Sequence, residues 1–240
     1  MLIRRTNMKT EIKSCILVLI VILLTPQIIQ AQGNTYLSNL DQSSSGSISV
    51  GNDSWVAVGF GTGNNAGGYL LNSVQLAMTN ASGNPSGFTA SINANYFTGP
   101  FPPGTLPGSS VGSLSGSASP ATTGIYSYAP AADLILSPNT PYFIVLTGGT
   151  AVANGAFSWS LAGTYSYNPS DGWGVYNNQG TVGVLYSSRN GSSWTVSQGN
   201  LQFALNATAV PEPSTLGLLA LGGLLLGWRW RKSSRFFFEQ

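Results

Sequence analysis

The stretch Leu201-Gln-Phe-Ala-Leu-Asn-Ala207 sets Leu201, Phe203, Leu205 and Ala207 at every second position, with amides and one small residue between them. A period of two sends alternate side chains to opposite faces of an extended chain, so this stretch predicts a strand with one face in a core. The same period recurs upstream in Val56, Val58 and Phe60, in Val74, Leu76 and Met78, and in Phe88, Ala90, Ile92 and Ala94. Tyr142-Phe-Ile-Val-Leu146 is apolar on both faces and reads as a central strand, launched by the proline-bounded turn Ser137-Pro-Asn-Thr-Pro141. Asn190-Gly191, between the Val184 to Ser187 and Trp194 to Val196 segments, signals a type I′ hairpin, and Gly99-Pro-Phe-Pro-Pro-Gly104 reads as a loop. Residues 33–208 show no sustained helical period and no internal repeat. They predict an all-β domain, an antiparallel β-sandwich of jelly-roll type.

Outward from this body, charge gathers at the two ends of the 240-residue chain. Arg4, Arg5, Lys9 and Lys13 precede the first apolar run, and Arg229, Arg231, Lys232 and Arg235 follow the last. Arg189 is the one basic side chain left in the body, whose acids are Asp41, Asp53, Asp133 and Asp171. The net charge of +2 therefore says nothing about the domain, and a basic nucleic-acid footprint is excluded. Six Trp, ten Tyr and ten Phe supply enough apolar area to fold a chain so poor in charge.

Residues 1–31 have the three parts of a secretory signal: a basic start, the apolar run Cys15 to Leu24, and a stretch ending at Ala31, the expected cleavage position. Met8 would serve equally well as the start. A permanent anchor is the alternative, but the run is short against the roughly 20 residues of a membrane span. Cys15, the single cysteine, would leave with the signal, so the mature body would hold no disulfide.

At the other end stands Val210-Pro-Glu-Pro-Ser-Thr215, then the apolar run Leu216 to Gly227, then Trp228-Arg-Trp-Arg-Lys232. Two prolines hold the backbone extended and unpaired, and Ser214 or Thr215 caps a helix that follows. From Leu216 to Trp230 that helix would be roughly 22 Å long, short against a hydrocarbon core of about 30 Å. Trp228, Arg229 and Trp230 are placed as interfacial anchors, and Arg231 and Lys232 would keep the C-terminus inside and the body outside. Gly223 and Gly227 have the spacing of a helix-packing pair.

This tail, residues 210–235 with the motif at 211–213 and a transmembrane helix over about 215–230, resembles the PEP-CTERM sorting signal of Gram-negative bacteria. The three parts, Pro-Glu-Pro, apolar helix and basic cluster at 229–235, come in that order. The resemblance implies a membrane-embedded processing protease, an exosortase, as partner, with Pro211, Glu212 and Pro213 as the residues it recognises. It also implies transient residence in the inner membrane, then the cell surface or matrix, and a link to exopolysaccharide and biofilm. Phe236 to Gln240, beyond the basic cluster, depart from the pattern. The body in turn resembles the choice-of-anchor R domain through Leu71-Asn-Ser-Val74, Leu136-Ser-Pro-Asn-Thr-Pro-Tyr142, Gly172-Trp173 and Leu201-Gln-Phe-Ala-Leu-Asn206. That resemblance implies a secreted, anchored β domain and no activity.

The absence of histidine removes Ser-His-Asp and Cys-His catalysis together with the commonest metal ligand. No D-x-D-x-D run offers a calcium loop, so no metal or cofactor is expected. Asp133 and Asp171 remain as the pair a glycan hydrolase would need, yet each stands in a turn-like setting. Tyr165, Tyr167, Trp173, Tyr176 and Trp194 lie in polar, glycine-rich surroundings, and Trp173, Tyr176 and Trp194 form a candidate ring platform for sugars. The competing reading is that Trp55, Trp159, Trp173 and Trp194 fill the core. The leading expectation is a non-enzymatic, exported structural or adhesive protein; the alternatives are a carbohydrate-binding module and, more remotely, a glycan hydrolase.

Overall fold

Val56, Val58 and Phe60 are fully buried on one face of an extended segment, and Ala57 is buried on the other. This segment is β3 (Trp55–Gly61), a middle strand of an all-β chain. The computed structural model describes residues 33–98, 104–175, 184–211 and 222–223. The expected signal over 1–31, the loop 99–103, Tyr176, and Glu212, Pro213 and Trp228 to Lys232 fall outside them.

In chain order the strands are β1 (Asn34–Ser38), β2 (Ser44–Val50), β3, β4 (Tyr69–Gly83), β5 (Thr89–Thr98), β6 (Gly104–Ser115), β7 (Gly124–Pro130), β8 (Ile135–Leu136), β9 (Pro141–Thr147), β10 (Gly155–Ala162), β11 (Asn168–Pro169), β12 (Gly174–Val175), β13 (Val184–Ser188), β14 (Thr195–Gln198) and β15 (Phe203–Ala209). Every pairing among them is antiparallel. The main path runs β11-β1-β15-β4-β7-β6-β5-β9-β3-β13-β14, and β10 joins β4 to β2.

An antiparallel all-β domain is thus observed, but the two halves are not separate sheets of a jelly-roll sandwich. They are one sheet curled into a half-barrel, continuous through the pairing of Leu114 with Pro130 and of Ser115 with Ala129 between β6 and β7. Inside the curl, Val74, Leu76 and Met78 from β4 meet Val58 and Phe60 from β3, Ile92 from β5, and Ile144 and Leu146 from β9. Phe157, Trp159, Phe203 and Leu205 complete the same core. At about 25 cal/mol per Å² of apolar surface removed from water, these side chains dominate the stabilisation.

The central strand is where the sequence places it: β9 lies between β5 and β3, with Phe143 and Val145 buried on its outer face. Those two residues belong to a second, smaller cluster with Ala57, Val184 and Tyr186, against which Trp55, Leu106 and Trp194 pack.

The hairpin at Asn190-Gly191 differs from expectation. A type I′ turn needs positive φ at both central residues and joins strands across two residues. Here Gly191 alone has it (φ 77°), and the strands β13 and β14 are separated by residues 189–194. The Ser188 hydroxyl oxygen accepts the Gly191 N–H at 2.9 Å, and Asn190 Oδ1 accepts the Ser192 N–H at 3.1 Å. Side-chain acceptors thus stabilise a wider loop.

Candidate functional site

The start of β1 and the end of β15 lie at the same end of the sheet. β1 runs antiparallel to β15, pairing Asn34 with Ala207, so the chain enters where it leaves. The exit itself is gripped. Ala209 closes the β15 ladder opposite Tyr69, and the Val210 N–H donates to the Gly68 carbonyl at 3.0 Å. Asn65 Nδ2 donates to the Val210 carbonyl at 2.9 Å and also to the Gly68 carbonyl.

Glycine is required here for two separate reasons. Gly68 has φ 76°, and a side chain at Gly67 would run into the Val210 carbonyl. Residue 211 is the next in sequence and is exposed. Of the predicted motif, Pro211 therefore stands directly at the lip of the folded body. Farther along, Gly222 and Gly223 are helical. Among the described residues no helix is long and apolar enough to cross a membrane.

Of the expected ring platform, Tyr176 lies outside the described residues and Trp173 is not displayed. Trp173 is only 3% exposed, with Phe60 stacked on it at 6.0 Å and 3°, Tyr36 stacked at 5.0 Å, and Tyr69 edge-on at 5.0 Å. No free face remains for a sugar, because four aromatic rings filling one end of the curl bury more apolar surface than a displayed Trp. Trp159 is likewise a core residue, its Nε1 donating to the Gln202 carbonyl at 2.9 Å. Trp194 is half-buried against the outer cluster. Tyr167 packs on Phe203, and Tyr165 is exposed on its loop.

The carboxylates do not form an acid/base pair built by burial. Asp133 and Asp171 are both exposed, and Asp171 occupies a turn at φ 49°. Among the described residues no cluster of three or more Cys, Asp or Glu side chains could hold a metal ion.

A site absent from the sequence reading lies one strand length from the exit, roughly 20 Å given the rise per residue. β3 runs from Trp55 to Gly61, and Gly61 is at the exit end, beside Pro141 and Gly174. At the Trp55 end a cleft of about 550 Å³ opens between the start of β3 and the β13–β14 hairpin, lined by Asp53, Ser54, Ser187, Arg189, Ser193 and Thr195 among others. The hairpin beside it is closely seated, since Gly191 lies so near the Trp55 indole that a side chain there would clash. No motif announces this cleft; Arg189, isolated by charge, is the only sequence signal that points to it.

The gripped exit leads directly into the C-terminal segment. Residues 209–232 match the PEP-CTERM protein-sorting motif, the mark of exosortase substrates. The match begins at Ala209, the last residue of β15. No curated protein and no solved structure matches the chain, and the resemblance of the body to choice-of-anchor R finds no support.

Proposed function

We propose that this chain is an envelope protein whose β domain is exported, held at the inner membrane by its tail, and sorted to the surface or matrix by an exosortase. The domain acts there without catalysis, as a structural or adhesive element. The observation that carries the reading is the sorting-motif match over residues 209–232 starting on the last residue of the final strand. Signal and cargo are thus joined without a spacer. Exposed turn carboxylates and the lack of histidine favour a non-catalytic domain.

The test compares intact mass and location of the wild type with a variant carrying Pro211→Ala, Glu212→Ala and Pro213→Ala, in a host containing an exosortase. The expected wild-type product lacks residues from both ends and lies outside the inner membrane, whereas the variant stays there untrimmed. Equal retention of Trp228 to Gln240 in both would make the tail a plain anchor and overturn the reading.

A further inference from the structure

We infer that the cleft between the start of β3 and the β13–β14 hairpin binds an uncharged saccharide. The chemistry of its free groups carries this. The Arg189 guanidinium, alone as a cation in the body, has no hydrogen-bond or ion-pair partner among the described residues. Asp53 is half used: Oδ1 accepts the Val152 N–H at 2.8 Å, leaving Oδ2 open. Among the described residues the hydroxyls of Ser187, Ser193 and Thr195 are likewise uncommitted, while Ser54 Oγ already donates to the Ser49 carbonyl at 2.9 Å.

The cleft therefore offers a five-donor fork, a carboxylate acceptor and hydroxyls that both donate and accept. A sugar hydroxyl also does both, so a polyol can satisfy all of these groups at once. One cation and one anion leave the cleft without net charge, which disfavours a polyanion: its carboxylates or sulfates would gain at Arg189 and lose at Asp53. The cleft is also prepared in advance. Gly191 seats the hairpin on Trp55, the Ser188 hydroxyl holds the Gly191 N–H, and Val152 fixes Asp53, so the loop needs little ordering on binding and the main cost is fixing the Arg189 side chain. Its place at the end opposite Val210 keeps it clear of the membrane that the tail would occupy.

The test uses the full chain, solubilised in a mild non-ionic detergent, on an array of neutral hexose, deoxyhexose and N-acetylhexosamine oligosaccharides beside polyuronates and sulfated glycans. Retention on at least one neutral class is expected, weakened ten-fold or more by Arg189→Ala and by Asp53→Asn. Both residues are exposed, and an unchanged melting temperature in each variant confirms that the fold is kept. No retention on any neutral class would overturn the inference. Retention only on acidic glycans, or retention unchanged in both variants, would do so equally. Sorting is read from the tail variant, so either result can fail alone.

Discussion

Asn65 Nδ2 and the Val210 carbonyl oxygen lie 2.9 Å apart, so a loop between β3 and β4 holds the residue just before Pro211. The same amide also bonds the Gly68 carbonyl, which in turn receives the Val210 N–H. Removing the amide with Asn65→Ala should cost about 1–2 kcal/mol, the net worth of one or two hydrogen bonds. Amide exchange at Val210 should rise about ten-fold while exchange within β9 is unchanged, a contrast that hydrogen-exchange mass spectrometry can read. Uniform acceleration would mean that Asn65 supports the whole fold.

Gly67→Ala should destabilise through the same contact, by about 1–3 kcal/mol, because the added methyl meets the Val210 carbonyl. At Gly174 a side chain would meet nothing nearby, so Gly174→Ala is the matched control, expected within about 0.5 kcal/mol of wild type. Denaturant midpoints of the two variants decide the matter.

Trp173→Ala should cost about 3–5 kcal/mol, as truncation of a large buried aromatic does, since Tyr36, Phe60 and Tyr69 all lose a partner ring. Trp173→Phe should recover part of the loss. Neither change touches the distal cleft, so glycan retention at a temperature where the variant is folded should stay at the wild-type level.

Stability should be flat to about pH 10 and fall above it. Burial pushes the Tyr128 and Tyr167 phenols well above the usual tyrosine range, with Tyr126 adding to the rise at Tyr128. The unfolded chain then loses these protons first, and folding stability declines by up to about 1.4 kcal/mol per pH step for each phenol. Tyr167→Phe should lessen the decline and leave neutral-pH stability equal or slightly higher, because the Tyr167 hydroxyl is buried without a partner among the described residues. Urea midpoints from pH 8 to 11 test both statements.

A buried amide network should prove as costly to break as the aromatic core. Asn39 Nδ2 donates to the Leu201 carbonyl at 3.0 Å, and Asn39 Oδ1 accepts the Phe203 N–H at 2.9 Å. Asn39→Leu strands both backbone groups, and a loss of about 2–4 kcal/mol in chemical denaturation is expected.

Strands with a clear period of two were legible in sequence: Val56 to Phe60, Val74 to Met78 and Leu201 to Ala207 lie in or beside β3, β4 and β15. β6 was not. Its sequence Gly104-Thr-Leu-Pro-Gly-Ser-Ser-Val-Gly-Ser-Leu-Ser115 has no apolar period, and it becomes a strand because β5 pairs with it from Leu114 to Gly104. Pairing of this kind is a tertiary effect that local pattern does not encode. The wide hairpin loop was hidden for a similar reason, since the Ser188 hydroxyl and the Trp55 ring override the dipeptide signal. Of the sites, the tail could be read because a sorting signal is a linear word. The cleft could not, because Asp53 and Arg189 come to line one cleft only through the pairing of Trp55 with Ser188.

The placement of β15 also has a mechanical meaning. It lies between β1 and β4, and the chain continues from its end through Val210 to Pro211. If the distal cleft holds a matrix polymer while the C-terminal end of the processed body is held at the surface, tension enters at Val210 and runs along the strand. Ladder bonds perpendicular to that direction yield together in shear rather than one after another, as in a peeled edge strand. A strand with partners on both sides thus makes the body a stiff coupling between whatever it grips and the surface that carries it.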